Sequence, residues 1–442
     1  MAEAYRAKWI ITASDDGENL YEDSVLVVED GKISDIISEA DLVEEDFETF
    51  VDYGNAVITP GFVNLFTQLQ YSDVFKIKSK GLFAKIKQFV FSWHKFFSML
   101  GIPKNKYSMH LAEVEKEYLC LNQKDKMSSF KNGLKQILLS GTTCFVNVSD
   151  DLRYFDLLNK LPVKTFLFFD LYADTFKKSK TEYKKFKKVI NKLQKKMSKN
   201  TYFGVYPHSI WSTNKLLWKY LFKYAKRNNL ILMTELMESE EEAEWFNKSE
   251  VAESGLDFYN VFLGNKKLLP EEEYDSAVKY LEGIKVLSKN VIIKNGNYLN
   301  NEDLEILSNH NVSMAYSPRV NEKVFKKSQS ASTLLRYFPK KLGFCTGSLT
   351  DNEDLNILSE LLLANIALPI EEMIKYTTIY PSRMLKLSDI TGSLESGKQA
   401  DFNVFRLDKK QTLQDFKDFS TPNDVYIDGK IIVKDRKVEI FT

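Results

Sequence analysis

Four histidines, His94, His110, His208 and His310, make up the whole imidazole inventory of 442 residues. A hydrolase that holds transition metals through imidazole spends several histidines on the metal alone, so this inventory weighs against such a centre. Cys120, Cys144 and Cys345 are odd in number, widely spaced and without a CxxC pair. They point to neither a cysteine zinc site nor a disulfide framework, and they fit a reducing cytoplasm. His94, His110 and His310 sit inside helical patterns and read as structural or surface groups. His208, framed by Pro207 and Trp211 directly after a strand pattern, reads as a pocket residue beside the plainer reading of a packed histidine. From Thr59 to Leu69, a turn at Pro60-Gly61 launches an apolar run that breaks into polar residues at its end. Such a pattern is a buried strand delivering side chains to a pocket. The acidic run Glu240-Glu241-Glu242 opens the next helical pattern and reads as favourable charge at a helix N-terminus, and Glu238 just before it shares that reading.

These groups need a scaffold, and the middle of the chain supplies an alternation of short β-like runs with longer helical patterns, the sign of βα units around a parallel sheet. Eight strands are expected: Gly61 to Phe66, Thr142 to Val146, Thr165 to Phe169, Tyr202 to Tyr206, Leu230 to Leu236, Val291 to Lys294, Ser313 to Tyr316 and Leu342 to Cys345. Eight favour a closed (β/α)₈ barrel, although the alternation also suits an open doubly wound sheet. Both ends of the chain carry a different pattern. Ser24 to Glu29, a turn at Asp30-Gly31 and Lys32 to Ile37 near the start are echoed by Asp424 to Ile427, a turn at Asp428-Gly429 and Lys430 to Val433 near the end. These hairpins predict a small antiparallel sheet from each terminus, joined into one composite β-sandwich. The expected division is 1–57 and 391–442 for the β-domain, with 58–390 for the barrel.

Bulk composition narrows the partners. The 61 basic and 61 acidic side chains cancel, so net charge points to neither nucleic acid nor a membrane surface. Lys177 to Lys199 is dense in lysine, yet Phe186, Val189, Ile190, Leu193 and Met197 recur at helical spacing, which predicts a barrel helix with its lysines on the solvated face. The N-terminus lacks the order of a signal peptide, and the apolar stretch Phe83 to Leu100 is broken by Lys85, Lys87 and Lys95, so no membrane span is expected.

The Pro-Gly-Phe-Val-Asn of residues 60–64 resembles the opening signature of the amidohydrolase superfamily. Four more segments resemble its landmarks in the right order, particularly those of the deaminase and chlorohydrolase branch: Ser140-Gly141-Thr142-Thr143, Pro207-His208-Ser209-Ile210-Trp211-Ser212, Tyr316-Ser317-Pro318-Arg319-Val320-Asn321, and Gly392-Ser393-Leu394-Glu395-Ser396-Gly397-Lys398-Gln399-Ala400-Asp401. The segment Thr234 to Ser239 with Glu244-Trp245-Phe246 and Asp257-Phe258-Tyr259 is similar to aminodeoxyfutalosine deaminases.

The resemblance implies a (β/α)₈ barrel and a Zn or Fe ion that turns bound water into hydroxide to attack an aminopurine carbon. It also implies where the ligands should stand, and those positions hold Phe66, Gln68, Glu235, Asn295 and Gly347. Phe66 and Gly347 have no donor side chain, and the amides of Gln68 and Asn295 are poor zinc ligands. No metal cofactor is therefore expected. Glu235, with Asp351 standing in on strand eight, leaves room only for a weakly held divalent cation such as Mg²⁺ or Ca²⁺. Glu238 matches the family's proton-shuttling glutamate and His208 its substrate-contacting histidine, with Gln68, Asn295 and Trp211 as further substrate contacts. The residues favour a catalytically silent pseudoenzyme that binds a small molecule of nucleoside-like kind or a protein partner. The alternatives are an active hydrolase or deaminase rebuilt around Glu238 as general base, and a non-catalytic subunit of a homodimer or of an assembly with an active paralogue.

Overall fold

The computed structural model describes residues 2–77, 107–149, 151–246, 256, 268, 274–418 and 421–440. His94, the stretch Phe83 to Leu100 and the Asp257-Phe258-Tyr259 segment lie outside the described residues. Five strands precede the barrel: β1 (Ala2–Ile11), β2 (Leu20–Glu29), β3 (Lys32–Ser38), β4 (Thr49–Asp52) and β5 (Ala56–Pro60). The barrel strands are β6 (Phe62–Thr67), β7 (Thr142–Val148), β8 (Lys164–Leu171), β9 (Thr201–Pro207), β10 (Leu232–Leu236), β11 (Val291–Asn295), β12 (Ser313–Tyr316) and β13 (Leu342–Phe344). Four more strands come after the barrel: β14 (Phe402–Arg406), β15 (Asp424–Ile427), β16 (Lys430–Lys434) and β17 (Lys437–Val438).

All eight expected barrel strands form, and they pair in parallel in strict chain order from β6 to β13. Their side chains are buried on both faces, as in β7 where every residue is buried, because side chains fill the inside while helices cover the outside. The ring meets at Gly347, whose N–H donates to the Phe66 carbonyl at 3.1 Å and whose carbonyl accepts from the Gln68 N–H at 3.2 Å. Gly347 holds a φ of +70° there, a conformation that a residue with a Cβ adopts only at a cost. The glycine on strand eight thus serves barrel closure.

Five helices matter to the site or its scaffold: α1 (Tyr107–Cys120), α2 (Gln123–Leu139), α3 (Phe176–Gln194), α4 (Lys215–Arg227) and α5 (Glu240–Phe246). In α3 the buried positions are Ser179, Phe186, Ile190 and Leu193, so the lysine-rich segment is an amphipathic barrel helix with its charges in water. Among the described residues no helix is long and apolar enough to cross a membrane.

The strands of both termini share one nine-stranded sheet, ordered β17-β16-β15-β14-β5-β1-β2-β3 with β4 beside β1. It is mixed, which corrects the purely antiparallel expectation: β4 and β5 both run parallel to β1. They return from β3 in the direction of β1, so hairpin geometry does not apply to them. The sheet curls over an apolar core that includes Tyr5, Ile10, Leu26, Ile58 and Phe402, with Phe402 stacked on Tyr426 at 4.3 Å. Its two hairpin turns meet: a Cβ on Gly31 would lie 2.6 Å from the Asp428 carbonyl oxygen.

Sheet and barrel are fastened by a sealed ion pair. Lys164 of β8 reaches Asp401 at 2.6 Å, and neither side chain has any exposed surface. Asp401 also accepts from the Thr391 hydroxyl at 2.8 Å and from the Asp428 N–H at 3.0 Å. Removing one partner of such a pair strands the other charge in the interior. Lys164→Met is therefore expected to lower the unfolding free energy by about 3 kcal/mol or more, read as a fall in the urea midpoint, and an unchanged midpoint would refute the clasp.

Candidate functional site

The C-terminal ends of the barrel strands open into a cavity, the face on which barrels of this kind carry their sites. Its wall includes Gln68, Tyr71, Tyr107, His110, Asp170, Tyr172, Tyr206, His208, Glu235, Lys294, Phe325, Gly347 and Asp351. At its floor β11 presents Lys294, whose ammonium donates to Glu235 Oε1 at 3.0 Å and to Glu238 Oε2 at 2.9 Å. The same ammonium stands 4.6 Å above the centre of the Phe66 ring. Burial alone would pull the Lys294 pKa down, but the neighbouring carboxylates of Glu235 and Glu238 outweigh it and hold the value above the ordinary lysine range.

Glu238 sits behind this ammonium, with its side chain almost wholly buried. Besides Lys294, it accepts from the Asn295 amide at 2.9 Å and from the Tyr107 hydroxyl at 3.1 Å. Burial, then the nearby Glu235, push its carboxyl up to about 7, with Lys294 and Asn295 pulling the other way. Asn295 is held in turn, its Oδ1 accepting from the Ser317 hydroxyl at 2.7 Å, on a backbone with φ of +63°. His208 follows β9 and shares a hydrogen bond of 2.9 Å between Nδ1 and the Ser212 hydroxyl. Trp211 abuts it edge-on with ring centres 5.1 Å apart. Burial lowers the His208 pKa to about 4, Glu238 opposing and Lys294 adding to the fall, so the imidazole is neutral near pH 7.

Helix α1 roofs the cavity with Tyr107 and His110. His110 Nε2 lies 2.7 Å from Asp351 Oδ1, and the Ser348 hydroxyl donates to the other oxygen of Asp351 at 2.8 Å. Burial would lower the His110 pKa, but the bond to Asp351 together with the negative charges of Asp351 and Glu113 outweighs it and the net shift is upward. Burial pushes Asp351 up, but His110, the Ser348 hydroxyl and the Lys294 charge together outweigh it and hold the carboxyl below its ordinary range. The roof is anchored from α5: Glu241 accepts from the Ser108 N–H at 2.7 Å and from its hydroxyl at 2.8 Å. Glu242 accepts from the Glu238 N–H at 3.0 Å. The acidic run does begin a helix, and two of its three carboxylates are also buried clamps.

Of the residues singled out from sequence, Gln68, His208, Glu235, Gly347 and Asp351 line the cavity, while Phe66, Trp211, Glu238 and Asn295 stand behind that lining. Asp351 faces His110, not a ring of metal donors. His310 is a surface group bonded to Glu282 at 2.8 Å. Sequence reasoning gives no pocket role to Lys294 or Tyr107 and takes His110 for a structural or surface group. A lysine closing the apolar run Val291-Ile292-Ile293 was the available signal for the first, because a charge at the end of a buried strand has to meet a partner. Among the described residues, no group of three or more His, Cys, Asp and Glu side chains is placed to hold a metal ion.

A model of the amidohydrolase family matches residues 57–432. The 5-methylthioadenosine/S-adenosylhomocysteine deaminase 1 of Syntrophus aciditrophicus is 27% identical over 199 residues, 40% of this chain and 44% of that relative, so this match spans less than half of its length. The 5-methylthioadenosine/S-adenosylhomocysteine deaminase of Bacillus cytotoxicus is 22% identical over 434 residues, covering 94% of this chain and 87% of that one. Among solved structures, Helicobacter pylori aminofutalosine deaminase in complex with methylthio-coformycin superposes with a TM-score of 0.77 at 20% identity, covering 98% of this chain and all of that one.

The clamp at Glu242 has a pH signature. Burial, then Glu238, raise its carboxyl from 4.5 to about 8, against the backbone N–H groups of Met237 and Glu238. A folded value above the unfolded one means that folding takes up a proton, so the stability linked to Glu242 is full below about pH 4.5 and is lost as pH rises through about 8. Glu242→Gln is expected to match wild type in urea midpoint at the acid end and to exceed it above about pH 8. Equal midpoints at the alkaline end would mean that no buried charge is being carried there.

Proposed function

Because the chain belongs to the amidohydrolase family, we propose that its barrel mouth binds a nucleoside-like small molecule without a metal ion and without the metal-hydroxide chemistry of the family. The observation that carries this reading is the composition of the cavity wall. Tyr71, Tyr107, Tyr172, Tyr206 and Phe325 offer aromatic surface for a flat base, and Gln68 with neutral His208 offers hydrogen-bonding groups to orient it. The deaminases to which the chain is similar are named for adenosine derivatives, and the Helicobacter pylori structure holds methylthio-coformycin, which supports the same ligand class.

The donor set does not fit a zinc-type centre. Phe66 offers a ring face, Gly347 offers no side chain, Gln68 and Asn295 offer amides, and Glu235 is already bonded to the Lys294 ammonium. Glu238, bonded to Lys294, Asn295 and Tyr107, has its oxygens engaged and is poorly set to take a proton from water. One pair favours a second reading, a hydrolase rebuilt without metal: His110, oriented by Asp351 on the cavity wall, has the geometry of an acid–base dyad.

The decisive experiment combines three measurements on the full chain: metal content by mass spectrometry, melting with and without methylthioadenosine, and release of ammonia. No stoichiometric metal, no ammonia and a ligand-dependent rise in Tm are expected. Ligand at about 100 times its Kd should add about 2.7 kcal/mol of stability. Gln68→Ala should weaken binding about tenfold, the cost of roughly one hydrogen bond, with little change in the Tm of the free protein. Ammonia release that vanishes in His110→Asn would instead favour the rebuilt hydrolase, and absence of any nucleoside effect would discard the ligand class.

A further inference from the structure

Lys294 is surrounded in the way a bound ion would be. Two carboxylates from separate positions, Glu235 at 3.0 Å and Glu238 at 2.9 Å, converge on its ammonium, and the Phe66 ring closes a third side at 4.6 Å. Its side chain is 5% exposed, so water supplies little of its solvation. We infer that Lys294 is a resident cation standing where the family's divalent ion would stand, and that this chain takes up no divalent cation while Lys294 is present. The inference rests on the metal-free reading of the same cavity.

Three features support an exchange of cations over the mere loss of a ligand. First, the positive charge between Glu235 and Glu238 comes from the chain itself, out of reach of any chelator. Second, the residue on β6 matches the new cation. The negative face of an aromatic ring attracts an ammonium, whereas it has no lone pair to give a zinc ion. Third, the surrounding groups hold Glu238 in place for Lys294: Asn295 donates to the oxygen that Lys294 uses, and Tyr107 donates to the other. A divalent ion entering this space would meet an ammonium bonded to the very oxygens it needs, and the like charges would repel across a poorly screened interior.

The test uses the full chain as wild type, Lys294→Ala and Lys294→Arg, each melted with and without millimolar Mn²⁺, with bound Mn²⁺ counted by electron paramagnetic resonance. Wild type and Lys294→Arg should neither bind Mn²⁺ nor shift in Tm. Lys294→Ala, left with Glu235 and Glu238 and an empty space between them, should bind Mn²⁺ at least about tenfold more tightly than wild type and melt higher in its presence. If Lys294→Ala is unfolded alone and folds when Mn²⁺ is added, the exchange is supported equally. About one Mn²⁺ per wild-type chain would overturn it. So would a Lys294→Ala chain that gains nothing from Mn²⁺, folded or unfolded. Failure of nucleoside binding with these results intact would discard the ligand and leave the cation exchange standing.

Discussion

Two carboxylates meet one positive charge at the mouth of the barrel, and most of the chemistry here follows from that arrangement. The charge is the Lys294 ammonium, supplied by the end of β11. An ammonium differs from a metal ion in ways that matter. It accepts no lone pair from water, so it cannot make hydroxide. It has hydrogens to donate along a few directions, so its partners must be acceptors placed where those hydrogens point. Glu235 and Glu238 meet that requirement from one side and the ring of Phe66 from another.

The scaffold was legible in the sequence to a degree the site was not. Every barrel strand is a short apolar run between turn signals, and burial on both faces makes such runs stand out against the amphipathic helices between them. The join of barrel to terminal sheet was legible through Asp401, which ends a motif recognisable as a unit and lands on Lys164. The contacts that build the site span long separations: Lys294 lies 59 residues from Glu235, and Ser108 lies 133 residues from Glu241. No local periodicity encodes a partner so far away. His110 is the sharpest case. Its helical pattern gives a surface or structural histidine, and only the docking of α1 through Glu241 turns it over the cavity towards Asp351.

Gly347 shows how fold and chemistry share a residue. The backbone at this position bonds to both Phe66 and Gln68 in a left-handed conformation. An aspartate at Gly347 would place a Cβ on a strained backbone and a new carboxylate close to Asp351, whose oxygen lies 3.8 Å from where that Cβ would be. Such a substitution therefore works against both the closure of the barrel and its electrostatics. On β6, a histidine in place of Phe66 would exchange the benzene face over Lys294 for an imidazole, a weaker partner for an ammonium.

The groups that touch Lys294 and Glu238 are fitted to one another. Glu238 has a donor for each oxygen, and Asn295 uses its amide nitrogen on Glu238 and its oxygen on Ser317. Phe66 packs against Tyr206 at 5.9 Å while facing the ammonium. Each of these groups is satisfied only because its neighbours are the residues they are, and half-satisfied networks of buried polar groups are costly. The energetics therefore couple these residues to one another. A set coupled in this way forms one interlocked floor beneath the cavity, so that a change at any of its members is felt by the others.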